Sequence, residues 1–264
     1  MDCKINPDED KPFLGKNIFF VHPNDAIHNE LVMPVLRAEY QVFEIDTEDD
    51  VLEAARRYPD AVMFFCLANT KSEFSFSEHA KLIEKIWQIS SRNNLRIGII
   101  CESDSSSLRR AALYNTGINA VIAPLSKGYD WVSKSIIKCL SLIGAKGVRR
   151  YVRALCDDED NAVVTMTLGD NVISGKISDV SSVGFAVMFD ADPDLQPDTT
   201  IPDTVLNIRS TEFTIPSRVF GVRQSDEDNH LEKEYIMLFD ENVPVEKSPI
   251  YDYIYYCLRR NFKR

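Results

Sequence analysis

The sequence predicts two domains of different class: an α/β domain built on a five-stranded parallel sheet, then an all-β barrel or sandwich that ends in a helix. Three observations predict it. Over the first 144 residues, five short apolar runs alternate with capped or amphipathic segments, the pattern of a parallel sheet covered on both faces. Gly144 and Gly147 then bracket a short linker, ending the last helix and loosening the chain. Beyond them, short alternating runs separated by turn signals replace the helical period.

Residues 1–14 are polar and read as a loose arm, and the α/β domain spans 15–144. Asn17–Val21 is a strand, after which Asn24 or Asp25 caps a helix toward Ala38 that contains Pro34. Tyr40–Ile45 is a strand, and Thr47-Glu48-Asp49-Asp50 approaches a capping box at the head of a helix to Tyr58. Ala61–Cys66, Arg96–Cys101 and Ala120–Ala123 are the remaining strands; Ser77–Asn93, Ser105–Tyr114 and Tyr129–Ile143 are the remaining helices. Residues 145–153 form a hinge carrying an arginine cluster, and 154–264 form the β domain. There, Ala162–Leu168 pairs with Val172–Ile177 across Gly169-Asp170-Asn171, and Phe185–Phe189, Thr204–Ile208, Glu212–Val222 and Tyr235–Phe239 supply further strands. Asp190–Thr200 and Ser225–Glu234 read as acidic loops. Pro249–Arg264 is an aromatic, then basic, segment that reads as a helix plugging the barrel.

Composition narrows the function classes. A chain of 264 residues with 44% hydrophobic and 27% charged residues is long enough for two cores and reads as globular. No apolar run approaches a bilayer-spanning length, and Met1-Asp2-Cys3-Lys4 does not open a secretory signal, which points to the cytoplasm. Six scattered cysteines without a C-x-x-C pair argue against zinc or a disulfide framework. The net charge of -11 argues against DNA or RNA as a partner. From Val148 onward, 13 basic residues stand against 21 acidic ones, so a small dianion would depend on a local arginine cluster.

That cluster is Arg149-Arg150-Tyr151-Val152-Arg153, and about one hairpin later comes Asp179-Val180-Ser181-Ser182-Val183-Gly184. A guanidinium fork matches O6 and N7 of guanine, and equally two oxygens of a phosphate. A carboxylate at Asp179 accepts from the opposite guanine edge, Ser181 donates or accepts, and Gly184 permits close approach or a positive φ. Taken singly, each half is common: arginines suit a helix C-terminus, and D-x-S-x-x-G is ordinary turn chemistry. The combination, in this order and about 25 residues apart with a strand on each side, favours the nucleotide.

R-x-x-x-R followed by D-x-S-x-x-G resembles the PilZ family of cyclic di-GMP receptors, over roughly the last 115 residues. The resemblance implies a six-stranded barrel in which Arg149, Arg150, Arg153, Asp179, Ser181 and Gly184 hold cyclic di-GMP. It further implies that ligand binding folds the arginine segment over the barrel, reorients the domains and signals to a protein partner in motility, adhesion or virulence. Many members carry an aromatic ring on a later strand; here Gly221 stands at that place, and Phe220, Tyr151 and Arg223 are the candidates to substitute.

The first domain resembles the receivers of two-component signalling, a flavodoxin-like arrangement, with its phosphorylation chemistry largely missing. His22-Pro23-Asn24-Asp25 offers at most one acid after the first strand, the third strand ends in Phe65-Cys66-Leu67, and Ser103 and Lys127 stand near the posts of the family's hydroxyl and lysine. The domain therefore reads as a pseudo-receiver, an unphosphorylated scaffold or homodimerisation surface. No phosphate loop, nucleophile elbow or H-E-x-x-H occurs; His22, His28 and Glu30 fit no common metal spacing, and Cys66 near His79 reads as a core cysteine. The expected function is a non-enzymatic cyclic di-GMP effector without cofactor or membrane segment. The alternative is a degenerate scaffold acting by protein interaction.

Overall fold

The computed structural model describes residues 15–67, 76–90, 94–102, 121–148, 150–225, 232–240 and 248–263. The chain divides into two compact units, the first ending at Arg150 and the second beginning at Tyr151.

In the first unit β1 (Ile18–Val21), β2 (Val42–Ile45), β3 (Val62–Cys66), β4 (Arg96–Cys101) and β5 (Val121–Pro124) form a parallel sheet in the order β2-β1-β3-β4-β5. This is the receiver-like, flavodoxin-like topology expected, with its switch point between β1 and β3. Every residue of β1 and β3 is buried, which is why these strands read as unbroken apolar runs. The expected helix Ser105–Tyr114 lies outside the described residues.

Helix α1, residues 25–37, starts where Asn24 accepts from the Ile27 N–H at 2.9 Å. It departs from the expected regular helix through a π turn at His28–Val32, just before Pro34. Proline has no N–H to return to residue 30 and its ring crowds that carbonyl, so a widened turn accommodates it. Helix α2 (Glu48–Arg57) is capped by Thr47, with acids in its first turn and arginines in its last. Helices α3 (Phe76–Ser90) and α4 (Tyr129–Leu142) complete the described part of this unit.

The second unit is an antiparallel barrel. Its strands are β6 (Arg153–Leu155), β7 (Val163–Leu168), β8 (Asn171–Ser181), β9 (Gly184–Phe189), β10 (Thr200–Ile201), β11 (Thr204–Ile208), β12 (Thr211–Thr214), β13 (Ser217–Ser225) and β14 (Glu232–Phe239). The order β10-β13-β14-β9-β8-β7-β11 returns on itself, because residues 200–208 pair with β13 through β10 and with β7 through β11. A hydrogen bond of 2.6 Å between the Thr204 and Ser217 hydroxyls, both buried, pins that corner. Counting the bent segment as one strand, the ring has six.

Three expectations for this unit are corrected. The expected strand to Ile177 runs on through Asp179 to Ser181, since β8 is long enough to pair β7 with its first half and β6 with its last. Glu212–Val222 is two strands, because Ile215 and Pro216 turn the corner between β12 and β13. Arg153, expected in a hinge, opens a short strand. The terminal segment is helix α5 (Ser248–Lys263), burying Ile250, Tyr253, Ile254, Cys257, Leu258 and Phe262 at helical spacing and packing on β6 and β8.

Candidate functional site

The site follows from strand register. Side chains alternate between faces along a strand, so residues paired across successive ladders share a face. One row runs Ala154, Val180, Phe185, Met237, Val219 and is buried throughout: it is the barrel core. The rows on either side therefore face outward. The first is Arg153, Ser181, Gly184, Leu238, Arg218 and Thr200. The second is Leu155, Asp179, Ala186, Ile236 and Gly221. The D-x-S-x-x-G residues and the second arginine of R-x-x-x-R thus lie on one outer face, across three adjacent strands, β6, β8 and β9.

Electrostatics concentrate on Asp179, which is only 8% exposed. Arg153 Nη1 stands 3.6 Å from its Oδ2, and Arg223 Nη2 reaches the same oxygen from the other side at 3.7 Å. Arg223 Nε also donates to Glu234 Oε2, and the Ser178 hydroxyl donates to Glu234 Oε1. Burial alone would raise the Glu234 carboxyl, but the hydrogen bonds from Arg223 and Ser178 outweigh it and hold the group below its ordinary value.

Ser181 and Gly184 also have local tasks. The Ser181 hydroxyl donates to the Gly184 carbonyl at 3.1 Å across a two-residue hairpin loop. A Cβ at Gly184 would be driven into the Met237 carbonyl oxygen of the neighbouring strand. The glycine thus meets a close approach of β14 to β9, and its φ is not in the left-handed region. Alongside the first row, a groove of about 530 Å³ is lined by Tyr151, Val183, Thr200, Arg218, Leu238, Phe239 and Asp240.

Of the six sequence-derived residues, four are brought together: Arg153, Asp179, Ser181 and Gly184. Arg149 lies outside the described residues. Arg150 is exposed and falls with the first unit. Arg223, named in the sequence only as a substitute for a missing ring, belongs to the cluster, and Glu234 was not found at all. Phe220 is 64% exposed at a bulge in β13, and a Cβ at Gly221 would meet nothing within 4 Å.

In the first unit, His22, with a φ of 54°, ends β1, and its Nδ1 lies 3.1 Å from His79 Nε2; both rings are buried. Burial, with the neighbouring His79, lowers the His22 pKa. Cys66 is buried at the end of β3, where desolvation pushes its thiol well up, and its Sγ donates to the Phe64 carbonyl at 3.7 Å. His28 Nδ1 pairs with Glu44 Oε1 at 2.8 Å. Lys127 lies exposed on a 3₁₀ turn after β5, and Ser103 lies outside the described residues. Among the described residues no three His, Cys, Asp or Glu are grouped to hold a metal ion, and no helix is long and apolar enough to cross a membrane.

The arrangement is an α/β unit with a flavodoxin-like five-stranded parallel sheet followed by a six-stranded antiparallel barrel. No family model and no curated protein matches the chain. Among solved structures it is similar to the PilZ domain of YcgR from Escherichia coli with c-di-GMP, at 15% identity over 44% of this chain and 92% of that one, TM-score 0.34. It is also similar to a CheY-like receiver domain protein from Methanospirillum hungatei, at 19% identity over 48% of this chain and 94% of that one, TM-score 0.37. The K. pneumonia MrkH–c-di-GMP complex matches at 21% identity over 36% of this chain and 45% of that one, TM-score 0.34. The topology of both units rests on the strand pairings.

Proposed function

We propose that the second unit is a receptor for cyclic di-GMP and that the chain is a non-enzymatic effector. The observation that carries this reading is the β6–β8 register, which sets Arg153 directly opposite Ser181 and within ion-pair reach of Asp179. A guanidinium, a carboxylate and a hydroxyl on one outer face are the groups that a guanine edge and a phosphodiester require. Arg149 and Arg150 would add phosphate or base contacts as the segment closes on the ligand. That closure would order the junction between the units and present a changed surface to a protein partner.

Calorimetric titration with cyclic di-GMP tests it. Arg153→Ala removes charge-assisted bonds worth about 1.5–3 kcal/mol, a loss of roughly ten- to hundredfold in affinity. Wild type that gives no heat, or a variant that binds as well, discards the proposal. A second reading is favoured by the hairpin's own chemistry: the Ser181 bond and the Met237 contact at Gly184 explain both residues without a ligand. On that reading the chain is a scaffold whose melting temperature ignores the dinucleotide, whereas a receptor's rises by linkage.

A further inference from the structure

The strongest unassigned feature on the barrel's outer face is Arg223, a guanidinium that lies outside both sequence motifs and converges with Arg153 on one buried carboxylate. It comes from β13, while Asp179 lies on β8, so its side chain reaches across β14 and β9. Two features hold it there. Glu234, 5% exposed and directly opposite Arg223 in the β13–β14 ladder, accepts from its Nε, and the Ser178 hydroxyl fixes the other oxygen of Glu234. Beside it the second outer row is low: Gly221 opens space and Ala186 has the smallest side chain, so a flat ring can lie over Ile236.

The chemistry of the pair selects one base. Along its hydrogen-bonding edge guanine presents N1–H and an amino group, then O6 and N7: two donors followed by two acceptors. Asp179 and Arg223, neighbours on the barrel, present acceptors followed by donors. Adenine reverses the order at the two central positions and meets each group with its like. The contacts at 3.6 and 3.7 Å are ion-pair distances, so an incoming edge can insert by small side-chain movements.

We propose that Arg223 and Asp179 together read a guanine of the bound cyclic dinucleotide, and that Glu234 is the positioning residue that holds Arg223 for this task. The proposal rests on the reading of the barrel as a cyclic di-GMP receptor. Arg153 then serves the phosphate or the second base, and the missing aromatic ring at Gly221 is replaced by a hydrogen-bonding contact instead of a stacking one.

The test is equilibrium binding of cyclic di-GMP and cyclic di-AMP to the full chain and its variants. Wild type prefers cyclic di-GMP. Arg223→Ala weakens cyclic di-GMP roughly ten- to hundredfold and cyclic di-AMP much less, because only the charge and not the base contact is lost there, so selectivity falls. Arg223→Lys keeps the charge without the fork and does not restore it. Glu234→Gln loses less, and the double variant binds no worse than Arg223→Ala, because the carboxylate acts only through the arginine. Arg223→Ala leaves a buried carboxylate without its cation; if it does not fold, the double variant carries the comparison. Wild type that binds, with Arg153→Ala weakened and the Arg223 variants unchanged, overturns this inference alone. Full rescue by lysine overturns the base-reading role. Wild type that fails to bind overturns the parent reading and this one together.

Discussion

Replacing Arg260 with alanine probes how the terminal helix supports the strands that carry the site. Arg260 Nη1 donates to Asp160 Oδ1 at 2.6 Å and to Asp157 Oδ1 at 3.1 Å, and Asp160 is 1% exposed at the end of a capped 3₁₀ turn next to β6. Removing one partner of a buried ion pair costs about 3–5 kcal/mol, because the remaining charge stays desolvated. Asp157 is partly exposed, which places this variant near the low end, about 3 kcal/mol. At about 2.1 cal/mol/K per residue, the unit from Tyr151 to Arg264 unfolds with an entropy of roughly 0.24 kcal/mol/K, so its Tm falls by about 12 °C. Calorimetry of the full chain reads the fall, and amide exchange in peptides covering β6 and α5 assigns it to this unit.

The pH dependence supplies a second arm. Burial by itself would raise the Asp160 carboxyl, but the hydrogen bond from Arg260, helped by the Asp157 N–H, holds it below its ordinary value. A carboxyl lowered on folding stabilises above its unfolded pKa, and that stability is lost as pH falls through the folded one. Without Arg260 the same buried carboxyl is raised, so the variant gains on the wild type as acid neutralises it. The gap between them narrows from about pH 7 to about pH 4.5. Arg260→Met retains the packing of the stem and isolates the charge. A fall under about 3 °C, or a gap of equal size at both pH values, refutes the reasoning.

Two further outcomes follow from the packing. Gly184→Ala forces a Cβ against the Met237 carbonyl, a backbone atom that cannot turn aside, and destabilises the barrel by about 1–3 kcal/mol; unchanged thermal unfolding would contradict the close approach of β9 and β14. His22 has its pKa lowered by burial, so the first unit loses stability as pH falls below the unfolded value of about 6.5. His22→Phe flattens that decline in acid unfolding, and an equally steep profile in the variant would exclude the buried histidine pair as its source.

What the sequence disclosed, and what it withheld, divides by range of interaction. The parallel sheet was legible because β1 and β3 are buried on both faces and had to be apolar at every position. The caps at Asn24 and Thr47 were legible because the bond is local. The extension of β8 through Asp179 and Ser181 was not, since neither residue favours a strand and only pairing with β6 and β9 holds them there. The partnership of Arg223 with Glu234 depends on a bulge at Phe220 that shifts the β13–β14 register. No spacing along the chain announces it. The sequence left Gly184 with either a close approach or a positive φ; its φ lies outside the left-handed region, and the group against its α-carbon is the neighbouring strand.

The most direct measurement of the central claim is the backbone amide spectrum of the isotopically labelled chain, titrated with cyclic di-GMP. The account predicts saturable shifts centred on Arg153–Leu155, Asp179–Ala186, Arg223 and Glu234–Leu238, the residues of the outer rows. Saturating ligand that leaves those amides unmoved, or that moves instead residues at the carboxyl edge of the parallel sheet around His22 and Cys66, would contradict it.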